Sequence, residues 1–244
     1  MATIAQPAVR IRRDRLFYTS MGLAIAAVTF WGFAASFYLS PWLTPPATTP
    51  RWSSLLYVHA GLFTAWMALM ISQPLLIAAR GVALHRRIGL AGAGLAAAMV
   101  LIGNWTAVGA MDGGFIGMGD PLRFYAVPFF AINSFAVAVF FAILWRNRAE
   151  THKRLILLAN VGLLGAAIAR IPIDALQAGA PFTFLFLPNF VTVAGILYDW
   201  RTRRRVHKVW IWGGLAMLIS QIVVGPVMAS DWWHAFAGAM AALG

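Results

Sequence analysis

Long apolar runs separated by short polar clusters dominate this chain, with no extended alternation of the kind a half-buried strand requires. A helix that crosses the hydrocarbon layer takes about 20 mostly apolar residues. Seven runs of that kind can be marked: residues 16–39, 53–79, 87–109, 122–145, 152–171, 182–198 and 206–228. The sixth is the shortest and contains Pro188. A proline there removes a backbone donor and clashes with the preceding turn, so a kink or a broken start is expected. Residues 1–15 precede an apolar run too long for a signal peptide and lacking a convincing cleavage site, which predicts an uncleaved first helix. The expectation is therefore all-α: one polytopic domain over residues 1–244 with seven transmembrane helices.

Composition supports the bilayer as solvent. The chain is 61% hydrophobic and 11% charged, with a mean hydropathy of +0.76, more apolar surface than one water-soluble core can bury. It has no cysteine, which excludes disulfides and cysteine-ligated zinc or iron-sulfur clusters. A net charge of +12 raises the question of nucleic acid. Position answers it, because 16 of the 19 cations fall in four clusters, before span one and between spans two and three, four and five, and six and seven. Arg51, Arg123 and Arg170 fall on the other side. Cytoplasmic loops keep excess Lys and Arg, so the amino terminus is expected inside and the carboxyl terminus outside a bacterial inner membrane. Nucleic acid is not expected as a partner.

Within those clusters a histidine followed by a cation recurs where spans three, five and seven begin: His85 with Arg86 and Arg87, His152 with Lys153 and Arg154, His207 with Lys208. Three imidazoles at one depth suit a metal, but the adjacent cations oppose it, and the carboxylates on that side are Asp14, Glu150 and Asp199. The stronger reading is that these residues anchor the chain at anionic lipid headgroups. Of the loops facing away, the stretch at 41–50 is proline-rich and stiff, and MDGGFIGMGD at 111–120 is glycine-rich and a candidate lid.

Polar groups inside spans are costly and are default candidates for function. His59, Trp66 and Gln73 recur every seven residues and share one stripe of the second helix, while Asn104 on the third reaches a depth similar to His59. Arg170 and Asp174 stand four apart beyond the fifth span, with Pro172 between them, and an ion pair across that turn is expected as a helix-end lock. These six residues are the candidate ligand-binding set. For Gln73, Asn104, Asn133, Asn160, Asn189 and Gln221, interhelical hydrogen bonding is the competing reading and the stronger one. Aromatics at 124–130 and 181–190 form either an interfacial belt or the wall of a pocket.

Absences narrow the field. No Asp or Glu falls near the middle of a span, so the carboxylate relay of many pumps is missing. Lys153 and Lys208 are the only lysines and lie at the basic surface, which excludes a mid-membrane Schiff base. Haem held by His59 alone, or with His234 as the other histidine on that side, is a poor fit. No P-loop, HExxH or GxSxG occurs. Neither a metal site nor a particular cofactor is predicted.

The words LHRRIG, THKRLILLA, YDWRTRRRVHKVWIWGG and HAGLFTAWMALMISQPLLIAARG resemble those of uncharacterised small multipass bacterial inner-membrane proteins, over a stretch from about Tyr57 to the last helix. The His-Lys-Arg turn at 152–154 is also similar to that of small membrane proteins associated with cytochrome oxidase assembly. The resemblance implies a fold and an inner-membrane address, not a reaction. The expected function is a non-catalytic accessory or assembly subunit, or a binder of a small hydrophobic ligand. Its expected contacts are membrane lipids and a membrane-protein partner or second copy of the chain. Two alternatives remain at this stage: a redox protein or enzyme with an outer pocket around His59, Asn104 and Arg170, and an uncoupled transporter.

Overall fold

The computed structural model describes residues 7–45, 53–112 and 119–243, with side chains from residue 11 onward. Arg51 and most of the candidate lid at 111–120 lie outside the described residues, as does the second half of the proline-rich stretch. Everything regular among the described residues is helical. In order these are α1 (Pro7–Phe33), extended by a π-helical turn (Ala34–Tyr38); α2 (Ser54–Ala78); α3 (Val82–Gly109); α4 (Pro121–Phe124); α5 (Ala126–Leu144); α6 (Ala149–Ile168); α7 (Asp174–Ala178); α8 (Phe182–Phe186); α9 (Phe190–Arg203); a π-helical turn (Val209–Gly213) leading into α10 (Gly214–Ala229); and α11 (Asp231–Ala241).

Local chemistry sets several boundaries. Ser53 caps α2 by accepting the Leu56 N–H at 3.2 Å, and Asp120 caps α4 by accepting the Leu122 N–H at 3.0 Å ahead of Pro121 at the first helical position. The broken start expected around Pro188 is present: α8 and α9 are joined by a 3-10 turn, Leu187–Asn189. Among the described residues, six helical stretches are long and apolar enough to cross a membrane: Ile11–Tyr38, Ser54–Ala78, Val82–Asp112, Pro121–Leu144, Phe182–Arg203 and Val209–Ala229. The remaining predicted span is α6, which is helical over 20 residues but carries Glu150, Lys153 and Arg154 in its first turns and is not among the six.

That exception sits at the centre of the bundle. Helix α6 packs against α1, α5, α8, α9 and α10, and Leu157, Leu158, Val161 and Leu164 are buried on successive turns of it. A helix buried on every side has no lipid-facing stripe to keep apolar. Close backbone approach is what lets so many neighbours reach it. A methyl group on Gly32 of α1 would overlap the Ala167 carbonyl, and one on Gly165 would stand 2.6 Å from the Phe184 carbonyl oxygen. Small residues at such crossings give membrane helices their van der Waals contact.

A second, smaller core closes the end of the bundle away from the basic rim. Trp233 of α11 is 2% exposed, packs among Tyr125, Phe129 and Phe130, and donates its indole N–H to the Leu122 carbonyl at 3.1 Å. The aromatics at 124–130 are thus largely spent on α11, an element the apolar-run pattern does not reveal. His234 on the same helix faces Asp120, its Nε2 3.3 Å from a carboxylate oxygen.

Candidate functional site

The polar residues of the bundle fall into three layers. At the basic rim, Arg154 and Asp199 are both fully buried and pair through two bonds, one of them Nε to Oδ2 at 3.0 Å. Arg154 also donates to the Glu150 carboxylate at 2.8 Å and to the Glu150 carbonyl at 2.6 Å. Arg203 reaches Glu150 at 2.8 Å and Asp14 at 2.7 Å; Lys153 meets Asp14 at 2.7 Å and Glu150 at 2.8 Å; the Tyr198 hydroxyl donates to Asp14 at 2.6 Å. Three cations and three carboxylates therefore form a neutral network that ties α1, α6 and α9 together. Low dielectric makes such a pair costly to form and more costly to break.

The expected headgroup residues divide accordingly. Arg86, Arg87 and Lys208 are exposed at the rim. Arg154 departs from it, because none of its surface is accessible and its donors go to Glu150 and Asp199. Lys153 is partly covered and lies over the Tyr18 ring, 4.8 Å from its centroid. His152 holds its Nδ1 2.8 Å from the Ala142 carbonyl. His85 is half-buried with no hydrogen-bond partner for its Nδ1. His207, in the turn before α10, accepts the Val209 N–H on Nδ1 at 3.2 Å, so that nitrogen must be unprotonated. Burial, and then the Arg154 charge, hold its imidazole below the ordinary histidine range.

In the middle layer, amides join helices in pairs. The Trp66 indole N–H donates to Asn160 Oδ1 at 3.0 Å; Asn133 Nδ2 donates to Asn104 Oδ1 at 3.2 Å; Asn189 Nδ2 donates to Gln221 Oε1 at 2.7 Å. Remaining amide hydrogens of Asn104 and Asn160 go to carbonyls one turn back, at 2.8 Å and 2.7 Å. Gln73 contributes to no such pair, and its Nε2 is buried without a partner. Shallow apolar grooves run beside this layer. One of about 390 Å³ lies between α2 and α3, lined by Leu69, Ile88 and Leu95, and another of about 270 Å³ lies between α5 and α10 beside Asn133.

The third layer lies at the opposite rim. His59 stacks on Phe63 with ring centroids 4.2 Å apart, its Nδ1 sealed from solvent and unpartnered. It feels the charge of Arg170, whose guanidinium lies over the Phe33 ring at 4.9 Å and donates to the Ala166 carbonyl at 2.7 Å. Thus the end of α6 meets α1 at Phe33, and the exposed Arg170 lies within electrostatic range of His59 on α2, an Arg–His corner with a phenyl ring under each head. The expected Arg170–Asp174 lock is not formed. Ile171–Pro172–Ile173 breaks the helix between them, and Asp174 starts α7 as an exposed residue. Asn104 does not join His59 either, since its side chain is engaged with Asn133 and Val100.

The predicted ligand set is therefore dispersed: His59 and Arg170 share a corner, Trp66 and Asn104 belong to separate amide pairs, and Gln73 and Asp174 stand apart. The Asp14–Asp199 network escapes sequence reasoning, although a lone acid inside the basic run YDWRTRRR was a signal for it. No protein-family model, curated protein or solved structure matches the chain.

Proposed function

We propose that the protein is a non-catalytic component of the bacterial inner membrane that binds a small hydrophobic molecule at the Arg170–His59 corner, alone or as the accessory subunit of a membrane complex. The observation that carries this reading is how the intramembrane polar groups are spent: Trp66 on Asn160, Asn133 on Asn104, Asn189 on Gln221, Arg154 on Asp199. Groups committed to one another hold helices in register and are poorly placed to move protons or attack a substrate. Outside these pairs, the corner is where an uncompensated cation and a histidine come together over aromatic rings, the composition of a small-ligand site.

In this reading α6 is a seventh crossing. Its 20 residues span about 30 Å, and the charges of its first turns are compensated by Asp14 and Asp199 instead of facing lipid. The amino terminus is then cytoplasmic, and exposed cations such as Arg86, Arg87 and Lys208 meet anionic headgroups. Solvent extraction of the purified protein, followed by mass spectrometry and an absorption spectrum, tests the function. The expected result is a small hydrophobic molecule enriched over bulk lipid; stoichiometric haem or redox metal would replace this reading with a redox one.

A further inference from the structure

No described carboxylate pairs with Arg170. Asp120 caps α4 and faces Arg123 and His234, while Asp174, the residue spaced to meet Arg170, is turned away by the Pro172 break. Arg170 is left with a carbonyl and the face of Phe33. Its cation is thus uncompensated by any described side chain. Yet the guanidinium is held in place: the Gly32–Ala167 crossing brings α1 against the last turn of α6, and Phe33 follows directly. His59 adds a ring whose accessible nitrogen, Nε2, has no hydrogen bond to another described residue.

We infer that this corner binds the anionic head of an amphiphile, a carboxylate or phosphate, with its apolar tail lying along the bundle. The inference rests on the reading that the corner is the ligand site and adds the chemistry of the head. Guanidinium presents a planar fork of donors that matches both anions. In apolar surroundings, a charge-assisted bond is about twice as strong as a neutral one. An N–H on His59 Nε2 supplies a further donor, and the half-buried Phe33 and Phe63 rings give the exposed Arg170 head an apolar floor.

The test uses full-length protein in detergent and a fluorescent fatty acid as the probe, with the fatty alcohol of the same chain as its neutral counterpart. The acid is expected to bind the parent at least about tenfold more tightly than the alcohol. Arg170→Gln is expected to abolish that preference, Arg170→Lys to keep part of it, and His59→Phe, which preserves the stack on Phe63, to weaken the acid severalfold. Competition by phosphatidic acid but not by inorganic phosphate identifies a lipid head; competition by inorganic phosphate identifies a free anion site; either supports the inference. Equal binding of acid and alcohol that is unchanged in Arg170→Gln would overturn the anionic head and leave the hydrophobic site standing. Failure of both probes to bind the parent would overturn both.

Discussion

Replacing Asp199 by Asn keeps the shape of the side chain and removes the charge that Arg154 faces in the buried pair. Both side chains are 0% exposed, so neither can recruit water in place of the other. Removing one partner of a buried pair costs about 3–5 kcal/mol. The lower end applies, because Arg154 retains Glu150 at 2.8 Å, on a carboxylate that is half exposed. A chain of this length loses about 2–4 °C of melting temperature per kcal/mol. The single change should therefore lower the melting point by at least about 6 °C. Arg154→Met should cost a similar amount, leaving Asp199 with Arg203 Nε at 3.3 Å and the His207 N–H at 3.2 Å. The diagnostic is the double variant Arg154→Met/Asp199→Leu. Replacing both members of a buried pair by apolar residues is often neutral or stabilising, so the double should cost half, or less, of the two single losses combined. Tryptophan fluorescence during thermal unfolding in detergent reads all variants on one scale. Additive losses, or singles indistinguishable from the parent, would refute the claim that this pair joins α6 to α9.

Other changes probe other layers. Gly32→Ala should destabilise by about 1–3 kcal/mol, because the added methyl overlaps the Ala167 backbone, which has no side chain to move aside; a parent-like melting point would contradict the α1–α6 approach. Asn133→Leu should cost about 0.5–2 kcal/mol by stripping Asn104 of its partner, and the Asn104→Leu/Asn133→Leu double should recover part of it; thermal shifts across this cycle give the coupling. Stability should fall as pH is lowered through the window just below His207's ordinary value of 6.5. The folded protein binds fewer protons there than the unfolded chain, since Nδ1 must stay free to accept the Val209 N–H. Melting curves at several pH values check this, and His207→Gln should flatten the dependence.

The apolar windows were legible because lipid imposes a length and a composition on any helix it touches. Six candidate spans follow from that alone. Helix α6 and helix α11 show where that logic fails. The first is shielded by its neighbours and can carry Arg154 in its interior-facing set; the second is an 11-residue amphipathic cap whose buried residues, Trp233 and Ala237, repeat at four, a spacing too brief to register as a span. A Ser230 before Asp231 was the available hint. The site was legible only in parts. His59 and Arg170 stood out as polar groups near an apolar surface, and the interhelical role of the Asn residues was the favoured reading. Which partner each would choose was not, because Arg154 and Asp199 are 45 positions apart and Arg170 and Asp174 only four. Sequence proximity favoured the second pair. A proline-broken turn and the burial of α6 selected the first.

The most direct test of the account is to count what the purified protein carries. Native mass spectrometry of the parent beside Arg170→Gln should show a small amphiphilic adduct at about one per chain in the parent and markedly less in the variant. An identical adduct pattern in both, or a parent that carries haem and turns over a substrate, would contradict it.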